Sequence, residues 1–404
     1  MINFSNRIQS MQQSPIRKLS GDAQKIKEKG VKVFNLNVGQ PDLKISKDFF
    51  KALHNYKSEN LDYTNSEGIY KLRETISNYY KHYSLDFNAE DILITNGASE
   101  AILFSLLATC DSGDNILIPE PFYTNYLNFA KAADVKVKGI PTDSNNGYSL
   151  ESYKTISSKI DKNTKAILLS NPSNPTGRVY TNEEINIIKS IALENNLWVI
   201  ADEVYRDFIY DDSKFTSFAS IQEIEDRVIL IDSASKRFSA CGARIGCIAS
   251  KNKPLLREIL KLCQTRLCVP TLEQIGTIEL YKNSPLSLEK DRLEYSKRRD
   301  LLFNELSTSS DFICKKPKGA FYLMVKIPNV NTEDFAKWLV NNFTYNNETV
   351  LISPAKGFYS TEGLGVDEIR LSYVLNTEDL KKACTILKEG IKEYKKNKLF
   401  NIKR

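Results

Sequence analysis

VILIDSASKRFSACGARIG, residues 228–246, begins with an apolar run and continues with small, hydroxyl-bearing and basic residues. The run Val228–Asp232 predicts a buried strand, because short apolar runs bounded by polar residues are typical of strands in a covered sheet. Ser233, Ser235 and Arg244 follow it. Hydroxyl groups beside a guanidinium form a set that suits a phosphate. An ordinary basic surface loop is the alternative interpretation.

Lys236 stands inside this stretch, next to Arg237 and shortly before Arg244. Nearby positive charges favour the neutral form of a lysine, which is the form that attacks a carbonyl carbon. If the segment lines a crevice, the crowding therefore predicts that Lys236 is a nucleophilic amine rather than a solvated surface charge.

The sequence on either side of this stretch alternates between short apolar runs and amphipathic segments of helical length, from about Asp91 to Ala249. The strand candidates are Ile92–Thr95, Asn115–Pro119, Val135–Ile140, Ala166–Leu169, Trp198–Asp202 and Val228–Asp232. The helix candidates between them are Ser99–Leu107, Tyr123–Ala133 and Thr181–Asn195. Such alternation predicts an α/β domain whose largely parallel sheet is covered by helices on both faces.

The pattern changes after residue 285 and predicts a second, smaller α+β domain. A long charged helix is expected at Leu286–Ser307 and a closing helix near Thr377–Tyr394. The shorter strand candidates between them are Phe312–Lys315, Phe321–Lys326, Thr349–Ser353 and Glu368–Ser372. Residues 1–45 have no sheet of their own and should pack on this domain or reach a partner subunit. The predicted bounds are therefore 1–45 for that segment, 46–285 for the large domain and 286–404 for the small one.

The strand end at Ile92–Thr95 carries the turn NGAS, residues 96–99, followed by an apolar helical run. In an open parallel sheet, ligands bind beyond the carboxyl ends of the strands. A glycine turn that feeds a helix start leaves backbone N–H groups free to bind an anion. A plain turn with Asn96 or Ser99 as helix cap is the alternative.

The loop SNPSNPTG, residues 170–177, follows the strand candidate Ala166–Leu169. Two prolines and a glycine in so short a loop fix a rigid, irregular path. Such a loop can hold the side-chain amide of Asn174 in one orientation. A rigid turn without a ligand is the alternative.

Asp202 ends the strand candidate Trp198–Asp202, and Tyr205 follows it. A carboxylate at the end of a buried strand is costly unless a cation or metal pairs with it. A protonated pyridine nitrogen would be such a partner. The alternatives are a structural salt bridge and a Mg²⁺ site, although the sequence has no P-loop to support a nucleotide-bound metal.

Composition excludes several classes of protein. With 2 histidines in 404 residues, mechanisms built on Ser-His-Asp, Cys-His or a His-rich metal site are poorly supported. A net charge of +6 does not indicate nucleic-acid binding. The N-terminus lacks a signal-peptide core, and no apolar run is long enough to span a membrane. The 7 cysteines suit free thiols in a reducing cytoplasm.

These strand ends together offer an anion seat, an amide, a buried carboxylate with a phenol, and a lysine, which is the set that pyridoxal phosphate requires. From about Pro15 to the closing helix, the sequence resembles the class I/II aminotransferases, the aspartate-aminotransferase-like branch of fold type I. The motifs are Ser-x-Ser-Lys followed by Gly-x-Arg-x-Gly, Asn-Pro-x-Asn-Pro-Thr-Gly, and Asp-Glu-x-Tyr. The resemblance implies a large domain with a mainly parallel seven-stranded sheet between helices, a smaller α+β domain, and pyridoxal 5'-phosphate as cofactor.

The resemblance also implies roles for individual residues around the cofactor. Lys236 would bond covalently to it and then move the proton, while Asp202 would pair with its ring nitrogen. Tyr205 and Asn174 would hydrogen-bond the ring 3-oxygen, and Tyr123 would stack on the ring. The phosphate ligands would be Ala98, Ser99, Ser233, Ser235 and Arg244, joined by Tyr63 from the neighbouring subunit of a homodimer with shared active sites.

On the substrate side, the resemblance implies that Gly39 and Asn174 line the site and that Arg370 clamps the α-carboxylate in a fork. Arg266 is a candidate for a second carboxylate, with a surface arginine as the alternative. The expected reaction is a ping-pong transfer of the amino group from an L-amino acid, aspartate or a broader set, to a 2-oxo acid such as 2-oxoglutarate.

Three rival functions remain. Carbon–sulfur β-lyases and aminocyclopropane-carboxylate synthases share this core and change the reaction. A regulator built on this fold would carry a DNA-binding domain, for which too few residues precede Gly39. An NAD-linked Rossmann enzyme would need a Gly-x-Gly-x-x-Gly after the first strand of the sheet, which the sequence lacks.

Overall fold

The fold is described by a computed structural model of residues 2–282 and 284–402. Its strands are β1 Lys32–Asn35, β2 Ile92–Asn96, β3 Asn115–Pro119, β4 Lys136–Ile140, β5 Thr164–Ser170, β6 Trp198–Asp202, β7 Val228–Ser233, β8 Ile245–Ala249, β9 Ile313–Cys314, β10 Tyr322–Lys326, β11 Glu348–Leu351, β12 Ser353–Pro354 and β13 Glu368–Ser372. Its α-helices are α1 Asn6–Gln9, α2 Ser20–Glu28, α3 Lys47–His54, α4 Tyr70–Lys81, α5 Gly97–Thr109, α6 Asn125–Ala132, α7 Tyr153–Ser157, α8 Asn182–Glu194, α9 Ala234–Arg237, α10 Lys253–Arg266, α11 Thr271–Lys282, α12 Ser284–Ser307, α13 Thr332–Asn342 and α14 Thr377–Ile402.

The large sheet has seven strands in the order β2-β8-β7-β6-β5-β3-β4. The five strands from β7 to β4 are mutually parallel, whereas β8 runs antiparallel to both β2 and β7. This confirms the predicted α/β class with a mainly parallel seven-stranded sheet. The sequence pattern missed β8, although its five residues are all buried.

Helices cover both faces of this sheet, as the contacts of alternating side chains along β5 show. Leu168 packs in the cluster that contains residues of α5, α6 and α10. Ile167 and Leu169 point to the other face and pack with residues of α8. Because both faces are buried, the strands read as continuous apolar runs, which is the pattern that made them predictable.

The smaller sheet, in the order β12-β13-β10-β9, is antiparallel and lies in the C-terminal part of the chain. The strand predicted at Thr349–Ser353 is two strands in different sheets, because β11 pairs in parallel with β1 and β12 pairs with β13. Residues 1–45 thus have no sheet of their own but contribute one strand, β1, to a two-stranded sheet shared with β11. The division into an N-terminal segment, a large domain and a small domain, with its bounds, stays a prediction.

Within the described part of the chain, none of the helices has both the length and the apolar character that crossing a bilayer requires.

Candidate active site

A cavity of about 680 Å³ lies beyond the carboxyl ends of β5, β6 and β7, where the large sheet faces β10 and β13. Most of the residues predicted to form a site line this one cavity. They are Gly39, Ala98, Ser99, Tyr123, Asn174, Asp202, Tyr205, Ser233, Ser235, Lys236, Arg244 and Arg370. The parallel strands bring Asn174, Asp202 and Lys236 together, because their carboxyl ends meet at one edge of the sheet.

Two predicted residues lie away from this cavity. Tyr63 is 79% exposed and does not line the cavity of its own chain. Arg266 does not line this cavity either, since its Nε lies 3.3 Å from the Glu100 carboxylate and its Nη2 donates to the carbonyl oxygen of Ile94 (3.1 Å). Its charge is therefore neutralised within its own chain, where it holds the end of α10 against α5 and β2.

Lys236 lies on α9, a single helical turn directly after β7, and its side chain enters the cavity. Its Nζ donates a hydrogen bond to the carbonyl oxygen of Gly39 at 2.9 Å. Arg237 does not share this position. Its guanidinium is buried on the opposite side and forms ion pairs with Asp207 and Asp232. The sequence led us to expect two arginines near the Lys236 amine. In the structure, Arg244 lines the cavity with Lys236, and Arg237 does not.

The start of α5 and the loop around Arg244 form a cradle of donors. Gly97 has a φ of +72°, and a Cβ there would lie 2.2 Å from Nη2 of Arg244. A Cβ on Gly246 would lie 2.6 Å from the backbone nitrogen of Ala98. Only glycine permits both approaches, and together they bring the guanidinium to the helix N-terminus, where free N–H groups favour an anion.

Two serines complete this cradle. The Ser235 hydroxyl accepts a hydrogen bond from Nη1 of Arg244 at 3.3 Å. The Ser233 hydroxyl donates to the Ile245 carbonyl oxygen (3.0 Å) and accepts from the Ser235 N–H (3.1 Å), so it caps α9 as well as lining the cavity. Helix N-terminus, hydroxyls and guanidinium together fit a phosphate group.

Asp202 presents a buried carboxylate to the cavity, 5% exposed. Burial raises its pKa to about 6, while hydrogen bonds from Tyr126 and from the Val204 N–H oppose that rise. The Tyr126 hydroxyl donates to Oδ2 at 2.6 Å, and the Val204 N–H donates to Oδ1 at 3.4 Å. A cation at this carboxylate would stabilise its ionised form, so the site fits a protonated ring nitrogen. The described residues include no cluster of three or more His, Cys, Asp or Glu arranged to hold a metal ion.

Tyr126 was not predicted from the sequence. It follows Tyr123 by three residues at the start of α6, and the two rings meet edge to face with centroids 5.5 Å apart. Residues three apart share one face of a helix, so the spacing of these two tyrosines was the available signal.

Tyr322 is a second residue that the sequence did not reveal. Its hydroxyl lies 2.8 Å from that of Tyr205, and it reaches the cavity from β10. Burial, then the neighbouring Tyr322, raises the pKa of Tyr205 well above its usual value. Gly39 packs so closely on Tyr322 that a Cβ would lie 1.9 Å from the Tyr322 hydroxyl. Gly39 is therefore required by close approach as well as by its place at the site.

Arg370, on β13, is 1% exposed and has no carboxylate partner among the described residues. Its Nη1 donates to Oδ1 of Asn174 at 3.0 Å, its Nη2 donates to the backbone carbonyl of Asn37, and its Nε has no partner. Burial lowers its pKa. A buried guanidinium without an anion is costly, so a carboxylate fits this point of the cavity.

Comparison with known proteins gives one consistent result. The family model "Aminotransferase class I and II" matches residues 31–387. The chain is 35% identical to the probable aspartate aminotransferase of Methanocaldococcus jannaschii, over 88% of this chain and 92% of that protein. It is 30% identical to the aspartate aminotransferase of Pyrococcus horikoshii, over 96% and 97%. The solved aspartate aminotransferase of Thermotoga maritima aligns with a TM-score of 0.88 at 26% identity, over 96% and 100% of the two chains. The alanine aminotransferase of Pyrococcus furiosus aligns with a TM-score of 0.87 at 28% identity, over 97% and 100%.

Proposed function

The chain belongs to the class I and II aminotransferases, and from that membership we propose that it moves the amino group of aspartate, or of a set of amino acids that includes aspartate, to a 2-oxo acid such as 2-oxoglutarate. As a member of this family it is a pyridoxal-phosphate-dependent aminotransferase. The observation that carries the proposal is that Lys236 and the unpaired guanidinium of Arg370 face the same cavity. Lys236 provides an amine, and Arg370 provides a binding site for an α-carboxylate.

Four sets of residues would hold the cofactor in this cavity. Lys236 would bond to its aldehyde carbon, and Asp202 would pair with its ring nitrogen. Asn174 and Tyr205 would hydrogen-bond its 3-oxygen, and Tyr123 would cover one face of the ring. The phosphate ligands would be Ala98, Ser99, Ser233, Ser235 and Arg244. When bound, pyridoxal phosphate accepts the amino group and delocalises the electron pair that remains when the substrate Cα loses its proton.

The residues of this chain have three tasks in that reaction. Arg370 binds the substrate carboxylate in a fork and so fixes the Cα–H bond relative to the ring, which lowers the entropic part of the barrier. Lys236 would act as the base that takes the proton from Cα and as the acid that returns it to the carbon on the other side of the amino nitrogen. Asp202 keeps a positive charge on the ring nitrogen. The first 2-oxo acid leaves before the second enters, which gives ping-pong kinetics.

Single-turnover spectra of the protein loaded with pyridoxal phosphate would test substrate and reaction together. We expect aspartate to convert the cofactor faster than alanine or phenylalanine and to yield a new amino acid when 2-oxoglutarate is added. A faster reaction with phenylalanine would overturn the preference for aspartate. Formation of pyruvate with ammonia or a released thiol would instead indicate the β-elimination of a lyase.

We infer that the active enzyme is a homodimer in which Tyr63 of each subunit reaches the phosphate of the other. The support is that Tyr63 is 79% exposed and that Leu61 beside it is 63% exposed, an apolar patch that a partner would cover. Light scattering should give about twice the chain mass of 46.0 kDa. We expect Tyr63→Phe to weaken cofactor binding about tenfold, the effect of one lost hydrogen bond to a charged group. A fully active monomer would contradict the inference.

We place the enzyme in the cytoplasm, because its seven cysteines are free thiols, as expected in a reducing compartment.

The hydrogen bond from Tyr126 to Asp202 predicts a pH-dependent effect on cofactor binding. A carboxylate can hold a cation only when ionised, and the ionised fraction of Asp202 falls as pH drops through its pKa of about 6. Tyr126 stabilises the ionised form, so Tyr126→Phe should raise that pKa further and start the loss at a higher pH. We expect affinity for pyridoxal phosphate to fall about tenfold near pH 7 and more below it.

Spectrophotometric titration with pyridoxal phosphate across a pH series would measure this change. Tyr180→Phe is the matched control, because Tyr180 is also buried and packs in the core on the other face of the sheet. If affinity for pyridoxal phosphate depends on pH equally in Tyr126→Phe and wild type, the Tyr126 hydroxyl does not lower the pKa of Asp202.

A further inference from the structure

Four cationic side chains line the cavity, and one of them has no role so far. They are Arg17, Lys236, Arg244 and Arg370, whereas Asp202 is the carboxylate among the described lining residues. Lys236 and Arg244 are taken up by the cofactor, and Arg370 by an α-carboxylate. The positive charge of Arg17 has no assigned partner. A cleft with an excess of positive charge concentrates negatively charged ligands.

The position of Arg17 is tied to that of Arg370 through Asn37. The backbone carbonyl of Asn37 accepts a hydrogen bond from Nη2 of Arg370, and its side-chain Nδ2 donates to the carbonyl oxygen of Ile16 at 2.7 Å. Two hydrogen bonds therefore connect the Arg370 guanidinium with the backbone next to Arg17. This holds the segment before α2 at the rim of the cavity.

The guanidinium of Arg17 is exposed and forms no ion pair or side-chain hydrogen bond with the described residues. Its neighbour Lys18 differs, because it pairs with Glu333 at 2.9 Å. Arg266, the other candidate for a second carboxylate, is occupied by Glu100. Arg17 is thus the cation at this cavity that is free to meet a further anion.

We propose that Arg17 receives the second carboxylate of a dicarboxylic substrate and so sets a preference for aspartate and glutamate over alanine. The link through Asn37 places the backbone next to Arg17 close to Arg370, so a substrate whose α-carboxylate lies on Arg370 can direct its side chain toward Arg17. The planar fork of an arginine suits a carboxylate there. This inference rests on the proposed function, because it takes the α-carboxylate site at Arg370 as given.

Kinetics of the cofactor-loaded enzyme with aspartate and alanine as donors would test the assignment. In Arg17→Gln we expect kcat/KM for aspartate to fall about 10- to 100-fold, while kcat/KM for alanine stays within about twofold, because one hydrogen-bonded ion pair is lost for aspartate alone. Arg17→Lys should fall in between, since it keeps the charge and loses the fork. Lys18→Gln, which removes the adjacent charge, should leave both values unchanged.

Inhibition by succinate and by butyrate gives a second readout that does not depend on turnover of the donor. Arg17→Gln should weaken inhibition by succinate, the dicarboxylate, about 10- to 100-fold and leave inhibition by butyrate unchanged. Arg17 does not recognise the second carboxylate if kcat/KM falls equally for both donors and inhibition weakens equally for both inhibitors. The same conclusion follows if none of these values changes. A wild-type enzyme that transaminates neither aspartate nor alanine would instead refute the proposed function.

Discussion

Lys236→Ala should abolish transamination, with a fall in kcat of at least about 10⁴-fold, because in the proposed function the same amine would attach the cofactor and move the Cα proton. Its Nζ enters the cavity and, among the described residues, forms hydrogen bonds with the carbonyl oxygen of Gly39 and, at 3.9 Å, with the sulfur of Cys241. The described residues that line this cavity include no histidine that could replace it as a base. Loss of Lys236 therefore removes covalent attachment and proton transfer together.

Borohydride reduction followed by peptide mass analysis would separate these two losses. In wild type, the peptide that contains residue 236 should gain the mass of the reduced cofactor, and in Lys236→Ala no peptide should gain it. Lys236→Arg keeps the positive charge and should also be inactive, because a guanidinium does not form the bond. Lys154→Ala, on exposed α7, is the control. Turnover within tenfold of wild type in Lys236→Ala would refute the assignment.

The sequence was sufficient to predict the residues at strand ends. Asn174, Asp202 and Lys236 each follow an apolar run, and strands buried on both faces are easily recognised. Once the strands are parallel, their carboxyl ends share an edge, so residues far apart in sequence meet without further information. Arg370 comes from the other sheet, so only the resemblance to the family indicated it.

Residues that reach the site from elsewhere were not predictable in this way. Tyr322 and Asn37 contact the site from β10 and from the segment after β1, and their positions depend on how the two sheets pack. Packing between distant segments leaves no periodic trace in the sequence. Tyr126 was closer to prediction, since its spacing from Tyr123 is helical.

Arg237 was expected near the Lys236 amine because the two residues are adjacent in sequence, but their side chains point in different directions. Successive residues of a helix point about 100° apart, so α9 directs Lys236 into the cavity and Arg237 into the core. There Arg237 joins Asp207, Asp232 and Tyr281 in a buried polar network. A network of this kind, with every charge paired, holds the turn that carries Lys236.

The second large effect is expected for Arg370→Met, which should lower kcat/KM about 10²- to 10³-fold for aspartate and for alanine alike. Both donors carry the α-carboxylate that Arg370 would bind, so both should lose the same interaction. Arg17→Gln, in contrast, should affect aspartate alone. The variant should still bind the cofactor, because Arg370 contacts Asn174 and Asn37 rather than the phosphate cradle.

The Tm of Arg370→Met is a second measurement, and we expect it not to fall although kcat/KM does. Arg370 is a buried charge without an anionic partner, so replacing it with an apolar side chain of similar length should leave the Tm of the substrate-free enzyme unchanged or raise it. Arg299 is equally buried but pairs with Asp211 and Asp300, so Arg299→Met should lower the Tm and spare kcat/KM. A drop in Tm for Arg370→Met, with kcat/KM unchanged, would mean that this arginine supports the fold, and the α-carboxylate would then need another cation.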